Sequence, residues 1–192
     1  SIEELPVGDV GKSADPMKEA EGTWWFQTKG GGTAVVEYDE IKGRNVIHGN
    51  SFGAGAGSWY GQVVTYRMKN ANPQVYSLQF NAKGTKGKKV RCYIKTNDAT
   101  TGGRTPNVFM ANDKIPGDKP YAGYVEFTLS DIYGAYSLDF NFSKLLKDPY
   151  SYTEEHIYES TPKALADFYI GFYPTTGGVE FYLDDVVLKK KN

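Results

Sequence analysis

Apolar and polar residues alternate with a period of two along much of this sequence, and helical periodicity is scarce. Residues 76–82 place Tyr76, Leu78 and Phe80 on one face and polar side chains on the other, and residues 137–142 repeat the pattern. Successive side chains of a strand point to opposite faces of its sheet. Clean alternation is typical of half-buried antiparallel sheets, whereas strands of a parallel α/β sheet are continuously apolar.

The pattern predicts nine strands with little helix between them. They cover residues 34–38, 45–48, 59–68, 75–82, 90–96, 124–129, 136–142, 168–173 and 179–188. Such an order predicts an all-β fold, an antiparallel β-sandwich of the jelly-roll kind. At 192 residues the chain is predicted to be one domain over 1–192, with residues 1–20 as a linker or an edge strand. A single helical turn is predicted at 160–165.

Composition narrows the classes of function. With 22 basic and 23 acidic residues, the net charge of −1 provides no field that would attract nucleic acid or an anionic membrane, and it disfavours a strongly acidic polysaccharide. Tyrosine is abundant, with 15 copies, and its ring favours places where an apolar plane meets water or a polar ligand. The single Cys92 lies in an alternating strand, which predicts a buried thiol. The start at Ser1 is typical of an excised module or a mature fragment.

The closing hairpin, residues 167–188, carries two adjacent carboxylates on its second strand. Asp184 and Asp185 must point to opposite faces, and both faces are mostly apolar. A buried carboxylate is costly unless something compensates its charge. A bound cation is one candidate, and a cap, a turn or an edge position is the other.

Residues for catalysis are sparse. His48 and His156 fall in separate segments, so the sequence does not favour a catalytic triad or a histidine metal cluster. Glu37 and Asp39 share one strand face, and glycoside hydrolysis needs two carboxyl groups about 5–10 Å apart. Their strand ends at a turn, where solvated acids are ordinary. A small β-sandwich glycanase or lyase using Glu37 and Asp39 is therefore the alternative, and a non-enzyme is favoured.

Several motifs, in order, resemble those of one group of domains. They are the Trp24-Trp25 strand, the WYGQV stretch from Trp59, the alternating run at 76–83 and the closing FYLDDVVL, which follows the pattern F-Y-I-D-D-V-x-L nearly throughout. Over residues 22–188 the chain resembles the β-sandwich carbohydrate-binding modules of families 4, 9, 16 and 22, and family 11 modules are similar. The resemblance implies a galactose-binding-like jelly roll.

The resemblance also implies a structural calcium ion, with Asp184 at the position of its C-terminal ligand. Carboxylates and backbone carbonyls are the ligands that calcium prefers. The N-terminal ligand of these modules is a Glu in an N-G-x-F-E-like segment, and residues 7–11 contain no Glu. Glu21 is taken as the substitute, with Glu19 as the other nearby carboxylate.

In these modules a sheet face or cleft binds a glycan through aromatic side chains, because a pyranose ring has an apolar C–H face that stacks on an aromatic plane. Trp59 matches a stacking position, and Gln62 lies close enough to exchange hydrogen bonds with sugar hydroxyls. Tyr169 and Tyr173 point away from the predicted core and extend the platform. The predicted site thus comprises Trp59, Gln62, Tyr169, Tyr173, Phe109 as a wall of the cleft, and Asn141 from a polar row.

The function expected from the resemblance is non-catalytic binding of a plant cell-wall polysaccharide, xylan or β-glucan. Such a module would target a covalently linked glycoside hydrolase to its substrate by raising the local concentration. The expected location is extracellular or on the cell surface. A surface adhesion or protein-interaction module is a further alternative.

Overall fold

A computed structural model describes residues 1–13, 18–27, 32–51, 64–96, 98, 108–111, 123–147 and 154–192. The described part is built from strands, with one short helix α1 (Pro162–Ala166) and 3₁₀ turns at Ile2–Glu4 and Glu154–His156. The strands are β1 (Gly8–Asp9), β2 (Gly11–Ser13), β3 (Trp24–Gln27), β4 (Thr33–Asp39), β5 (Arg44–Ser51), β6 (Val64–Lys69), β7 (Val75–Gly84), β8 (Lys89–Thr96), β9 (Val108–Ala111), β10 (Val125–Thr128), β11 (Gly134–Leu146), β12 (Ile157–Glu159), β13 (Asp167–Pro174) and β14 (Val179–Lys190).

The strands pair along one path that curls over a common core. The order is β1-β4-β5-β14-β7-β11-β9-β8-β13-β6-β3-β2, with β10 beside β8 and β12 beside β11. We call the half from β1 to β11, with β12, the β14 sheet, and the half from β9 to β2, with β10, the β8 sheet. Pairing is antiparallel except between β2 and β3. The prediction of an all-β antiparallel sandwich is confirmed.

Aromatic rings from the two sheets meet in the core. Phe80 of β7 contacts Phe172 of β13 with ring centroids 5.1 Å apart, and Phe142 of β11 contacts Phe168 of β13 at 5.2 Å. Both pairs are edge-to-face, a geometry that aromatic quadrupoles favour. The apolar positions of the alternating pattern are therefore the side chains that point from each sheet into the core.

The same alternation places a second set of side chains on the outer face of the β8 sheet. Since Val90, Cys92 and Ile94 point into the core, the residues between them on β8 point outward. Strand β13 follows the same pattern, since Phe168, Ile170 and Phe172 point into the core. Antiparallel register then brings outward residues together in rows, pairing Lys95 with Tyr169, Tyr93 with Gly171 and Arg91 with Tyr173.

Most predicted elements are present, and the differences are short strands. Each of the nine predicted strands overlaps an observed one, although residues 59–63 lie outside the described residues. Strands β9 and β12 lie outside the nine predicted strands, because three or four residues carry too little alternation to be recognised. The predicted helical turn is α1, whose first turn is capped by Thr161 accepting a hydrogen bond from the Ala164 amide. The N-terminal segment adds an edge strand to each sheet.

Candidate functional site

Three tyrosine rings gather on the outer face of the β8 sheet. The Tyr93 ring lies 6.2 Å from that of Tyr169 and 5.3 Å from that of Tyr173, measured between centroids. Tyr169 and Tyr173 point away from the core, opposite Phe168, Ile170 and Phe172. All three tyrosines are nonetheless between 3% and 6% exposed. They form a buried outer layer instead of an open platform.

A glycine makes room for the central ring. A Cβ atom added to Gly171 would overlap the Tyr93 ring, so the ring rests directly against the backbone of β13. Trp25 of β3 repeats the arrangement at the edge of the sheet, where a Cβ on Gly11 would lie 2.9 Å from its ring. Register runs from Tyr93 through Gly171 and Thr65 to Trp25, so the two aromatic residues face the same way about 14 Å apart.

Cations flank this aromatic layer. Lys89 and Arg91 share the Glu126 carboxylate of β10, at 2.9 Å and 3.1 Å. The Arg91 guanidinium also lies 4.4 Å from the centre of the Tyr124 ring. Burial works against the charge of Arg91, but hydrogen bonds with Tyr173 and Glu126 hold its pKa above the ordinary value. The pKa of Glu126 is lowered because Lys89 and Arg91 outweigh the opposing effect of burial.

Lys95 is the most buried charged group on this face. Its residue is 4% exposed, and its Nζ lies 4.2 Å from the centre of the Tyr93 ring, a cation–π distance. Burial lowers the pKa of Lys95 well below its ordinary value, because removing an ammonium group from water disfavours the charged form.

Two of the predicted site residues require correction. Phe109 does not wall a cleft, because it is fully buried and stacks on the Phe142 ring in the core at 4.0 Å. Asn141 lies on β11, in the other sheet, and its Oδ1 accepts a hydrogen bond from the Ser143 amide at 3.0 Å. It does not join Tyr169 and Tyr173. Trp59 and Gln62 lie outside the described residues.

The outward row of β8 was readable from the sequence but was missed. Placing Val90, Cys92 and Ile94 on the inner face leaves Arg91, Tyr93 and the flanking lysines on the outer one. What the sequence could not show is that this row lies against Tyr169 and Tyr173, since that contact depends on the pairing of β8 with β13 across more than 70 residues of chain.

The surroundings of Asp184 do not fit a calcium ion. Asp184 is 1% exposed, and its Oδ2 accepts hydrogen bonds from Arg44 Nη2 at 2.7 Å and Nε at 3.1 Å. Lys42 Nζ lies 3.4 Å from the same oxygen. Glu21 is exposed and faces Lys69 Nζ at 3.9 Å, so it does not meet Asp184. Within the described ranges, no group of three or more His, Cys, Asp or Glu residues could hold a metal ion.

A β-bulge explains why two carboxylates follow each other on β14. Pairing with β7 shifts between Asp184 and Val187, and Asp185 adopts the left-handed conformation with φ of 53°. The Asp185 carboxylate bonds to Arg44 and to the Asn81 amide. One guanidinium thus compensates both acids, in the place where a bound calcium ion was expected.

Glu37 and Asp39 are engaged in ion pairs on the β14 sheet. Glu37 faces His48 Nδ1 at 3.1 Å, while Asp39 receives Lys83 at 2.7 Å and the Tyr133 hydroxyl at 2.8 Å. Burial alone would raise the pKa of Asp39, but the hydrogen bonds from Lys83, Tyr133 and the Lys42 amide lower it to about 2. An ionised Asp39 would suit the nucleophile or base of a glycosidase and not its acid, but the Asp39 carboxylate is buried and already bonded by Lys83 and Tyr133.

The chain matches no family model and no curated protein. Solved structures do share its fold. A sugar-binding protein assigned as putative, from Bacteroides thetaiotaomicron, has a TM-score of 0.79 and 23% identity over 96% of this chain and 95% of its own. A CBM4 structure has a TM-score of 0.57 and 12% identity over 92% of each chain. The CBM22-1 xylan-binding domain of Paenibacillus barcinonensis Xyn10C has a TM-score of 0.54 and 8% identity over 96% of this chain and 92% of its own.

These similarities establish the fold that the sequence resemblance implied, the β-sandwich of carbohydrate-binding modules. The match extends over nearly the full length of both chains. Among the described residues, the structure contains no helix with the length and apolar character needed to span a bilayer.

Proposed function

We propose that the outer face of the β8 sheet binds a plant cell-wall polysaccharide, xylan or a β-glucan, without chemically altering it. The observation that supports this most directly is the tyrosine layer of Tyr93, Tyr169 and Tyr173, which lies outside the core cluster. Three large rings on an outer sheet face are not needed to close the core. These rings are between 3% and 6% exposed, so they form the base of the proposed face, and stacking on a pyranose ring is proposed for Trp59.

A sugar site also needs polar groups that bond the sugar hydroxyls, and such groups lie beside the rings. Arg91 and Glu126 are half-buried at the edge of the layer and place a guanidinium and a carboxylate next to Tyr173. Ligand sites commonly combine apolar and aromatic walls with a few polar groups that fix orientation. Trp59 and Gln62, on the segment that leads into β6, are proposed as the stacking and hydrogen-bonding residues that complete the site.

The proposed role is that of a targeting module in a secreted or surface-attached protein. The solved structures with this fold include a xylan-binding domain of Xyn10C, and that domain belongs to a longer chain by name. A linked glycoside hydrolase would gain effective substrate concentration from a bound module, provided that the linker lets both domains reach the polymer.

Affinity electrophoresis tests this proposal. We expect gels containing soluble xylan or mixed β-glucan to retard the protein relative to gels without polysaccharide. Trp59→Ala and Tyr173→Phe should reduce the retardation, the second because it removes the hydroxyl that bonds Arg91 but keeps the ring. Tyr38→Ala is the matched control, since Tyr38 is 59% exposed on the other sheet. Circular dichroism of each variant checks that it is folded.

Each rival gives a distinct result. No retardation by any soluble polysaccharide would contradict carbohydrate binding and favour a protein-interaction module. Release of reducing sugar from xylan or β-glucan by the pure protein would show an enzyme. Equal loss of retardation in Tyr38→Ala would move the site to the β14 sheet.

A further inference from the structure

Both ring nitrogens of His48 face a carboxylate on the outer side of the β14 sheet. The Nδ1 atom lies 3.1 Å from Glu37 Oε2, and the Nε2 atom lies 2.7 Å from Glu180 Oε1. His48 belongs to β5, the strand between β4, which carries Glu37, and β14, which carries Glu180. The His48 side chain is 16% exposed, and the two glutamate side chains are 40% and 44% exposed. One imidazole ring therefore joins three neighbouring strands.

The two contacts together require a proton on each ring nitrogen. An ionised carboxylate only accepts hydrogen bonds, and a neutral imidazole has one N–H donor and one acceptor nitrogen. The imidazolium form alone can donate to Glu37 and Glu180 at once. In the neutral form one of the two carboxylates faces a nitrogen lone pair, so that contact becomes repulsive. The arrangement therefore depends on the charge of the His48 ring.

Tyr182 covers the face of the His48 ring. The two ring centroids lie 4.2 Å apart with 11° between the planes, and an aromatic face in this position attracts a cation. Burial raises the pKa of Tyr182, and the negative charges of Glu180 and Glu37 raise it further, so the phenol stays neutral. The tyrosine therefore supplies an uncharged, polarisable surface and does not compete with His48 for the two carboxylates.

One lysine approaches this cluster but is paired elsewhere. Lys83 Nζ lies 4.5 Å from the centre of the Tyr182 ring and 2.7 Å from Asp39 Oδ2. Within the described part of the chain, His48 is therefore the cation that contacts the two glutamates. When its ring is neutral, two carboxylates that meet the same ring repel each other with no counter-charge between them.

We propose that His48 is a proton-dependent clasp of β4, β5 and β14, closed while the imidazole is charged and partly open when it is neutral. Folding gives the charged ring two partners that the unfolded chain lacks, so a bound proton stabilises the fold. Glutamate is ionised above about pH 5, and histidine titrates between about pH 5 and pH 8. The stabilisation is therefore present at the lower end of this range and is lost as the pH rises through it. The clasp is independent of carbohydrate binding.

Nuclear magnetic resonance can follow the clasp directly, because the chain has two histidines, His48 and His156. Nitrogen–proton correlation spectra of the imidazole rings show which nitrogens carry a proton. At about pH 5.5 we expect protons on both nitrogens of His48, exchanging with water more slowly than those of His156, whose side chain is 39% exposed. A single protonated nitrogen on His48 at this pH would overturn the clasp.

Urea unfolding between about pH 5.5 and pH 8 measures the stabilisation. We expect the unfolding equilibrium constant of the native protein to rise about fivefold across this range, the effect of one partly exposed charged pair. His48→Gln should remove the rise, because glutamine does not titrate. Glu37→Gln and Glu180→Gln should each reduce it. His156→Gln is the matched control and should keep it.

The variants make each outcome decisive. An equal rise in the native protein and in His48→Gln would overturn the proposal, and so would a native protein that is more stable near pH 8 than near pH 5.5. Loss of the rise in His156→Gln would assign the titration to that histidine and also overturn it. If His48→Gln does not fold, the two glutamate variants decide, because they retain the imidazole: an undiminished rise in both would show that the carboxylates do not hold the proton.

Discussion

The outer faces of the two sheets both carry many charged side chains, but they arrange them differently. On the β14 sheet the charges close on one another: Lys83 meets Asp39 at 2.7 Å, and Arg44 meets Asp184 at 2.7 Å. On the β8 sheet the charges surround tyrosine rings, and Lys89 and Arg91 share one carboxylate. The first arrangement is a set of charged pairs, whereas the second combines charged groups with a layer of aromatic rings.

The difference shows why a count of charges does not locate a binding site. His48 is held between Glu37 at 3.1 Å and Glu180 at 2.7 Å and is stacked on Tyr182, so its ring has few remaining contacts to offer. Mutations on the β14 sheet should accordingly change stability, and mutations on the β8 sheet should change binding. The following experiments test that difference between the two sheets.

The largest effect is expected from Arg44 on the β14 sheet. Arg44→Met leaves the buried Asp184 carboxylate with Lys42 as its described cation, and breaking such a pair should lower the free energy of unfolding by about 3 kcal/mol in urea titrations. Lys189→Met is the surface control. Because the chain supplies the cation, the melting temperature of the native protein should not change with EDTA. A melting temperature that falls with EDTA and recovers with calcium would contradict this assignment.

A smaller effect, on both stability and binding, is expected from a substitution of Gly171. Gly171→Ala puts a methyl group where the Tyr93 ring lies, so we expect a loss of about 2 kcal/mol in stability from overpacking and weakened retardation by polysaccharide. Gly134→Ala on β11 is the matched control, because its Cβ would lie 3.4 Å from the Tyr136 ring. If Gly171→Ala binds and melts like the native protein, Tyr93 does not rest against β13 as described.

Acid titration tests how much the ionised Asp39 contributes to the stability of the fold. Its folded pKa of about 2 lies below the ordinary 3.8, so its contribution is fully present above pH 3.8 and is lost as the pH falls through 2. The contribution is at most about 2 kcal/mol, the equivalent of the shift. Urea unfolding between pH 6 and pH 2.5 should show a shallower acid loss in Asp39→Asn than in the native protein or in the exposed control Asp9→Asn. Parallel curves for all three would refute the assignment.

The sequence predicted which face of a sheet a side chain occupies better than it predicted which residues that side chain contacts. Alternation placed Tyr169 and Tyr173 outside the core because a strand's period of two depends on the strand alone. Phe109 was misassigned because its burial depends on the short β9 pairing with β11, which no local pattern indicates. For the acids of β14 the sequence analysis expected a bound calcium ion, and the structure places an arginine beside them. That the cation is Arg44, separated by 140 residues from Asp184, is a property of the folded chain.

The smallest expected effect concerns an ion pair within the β8 sheet itself. Arg67 and Lys95 flank Tyr169 in one register row, but Arg67 makes a two-point pair with Asp167. Arg67→Lys cannot reproduce that fork, so we expect about 1 kcal/mol of destabilisation in urea and unchanged retardation in gels that contain soluble xylan or β-glucan. Loss of retardation in Arg67→Lys at unchanged stability would contradict this assignment, because the ion pair would then serve binding.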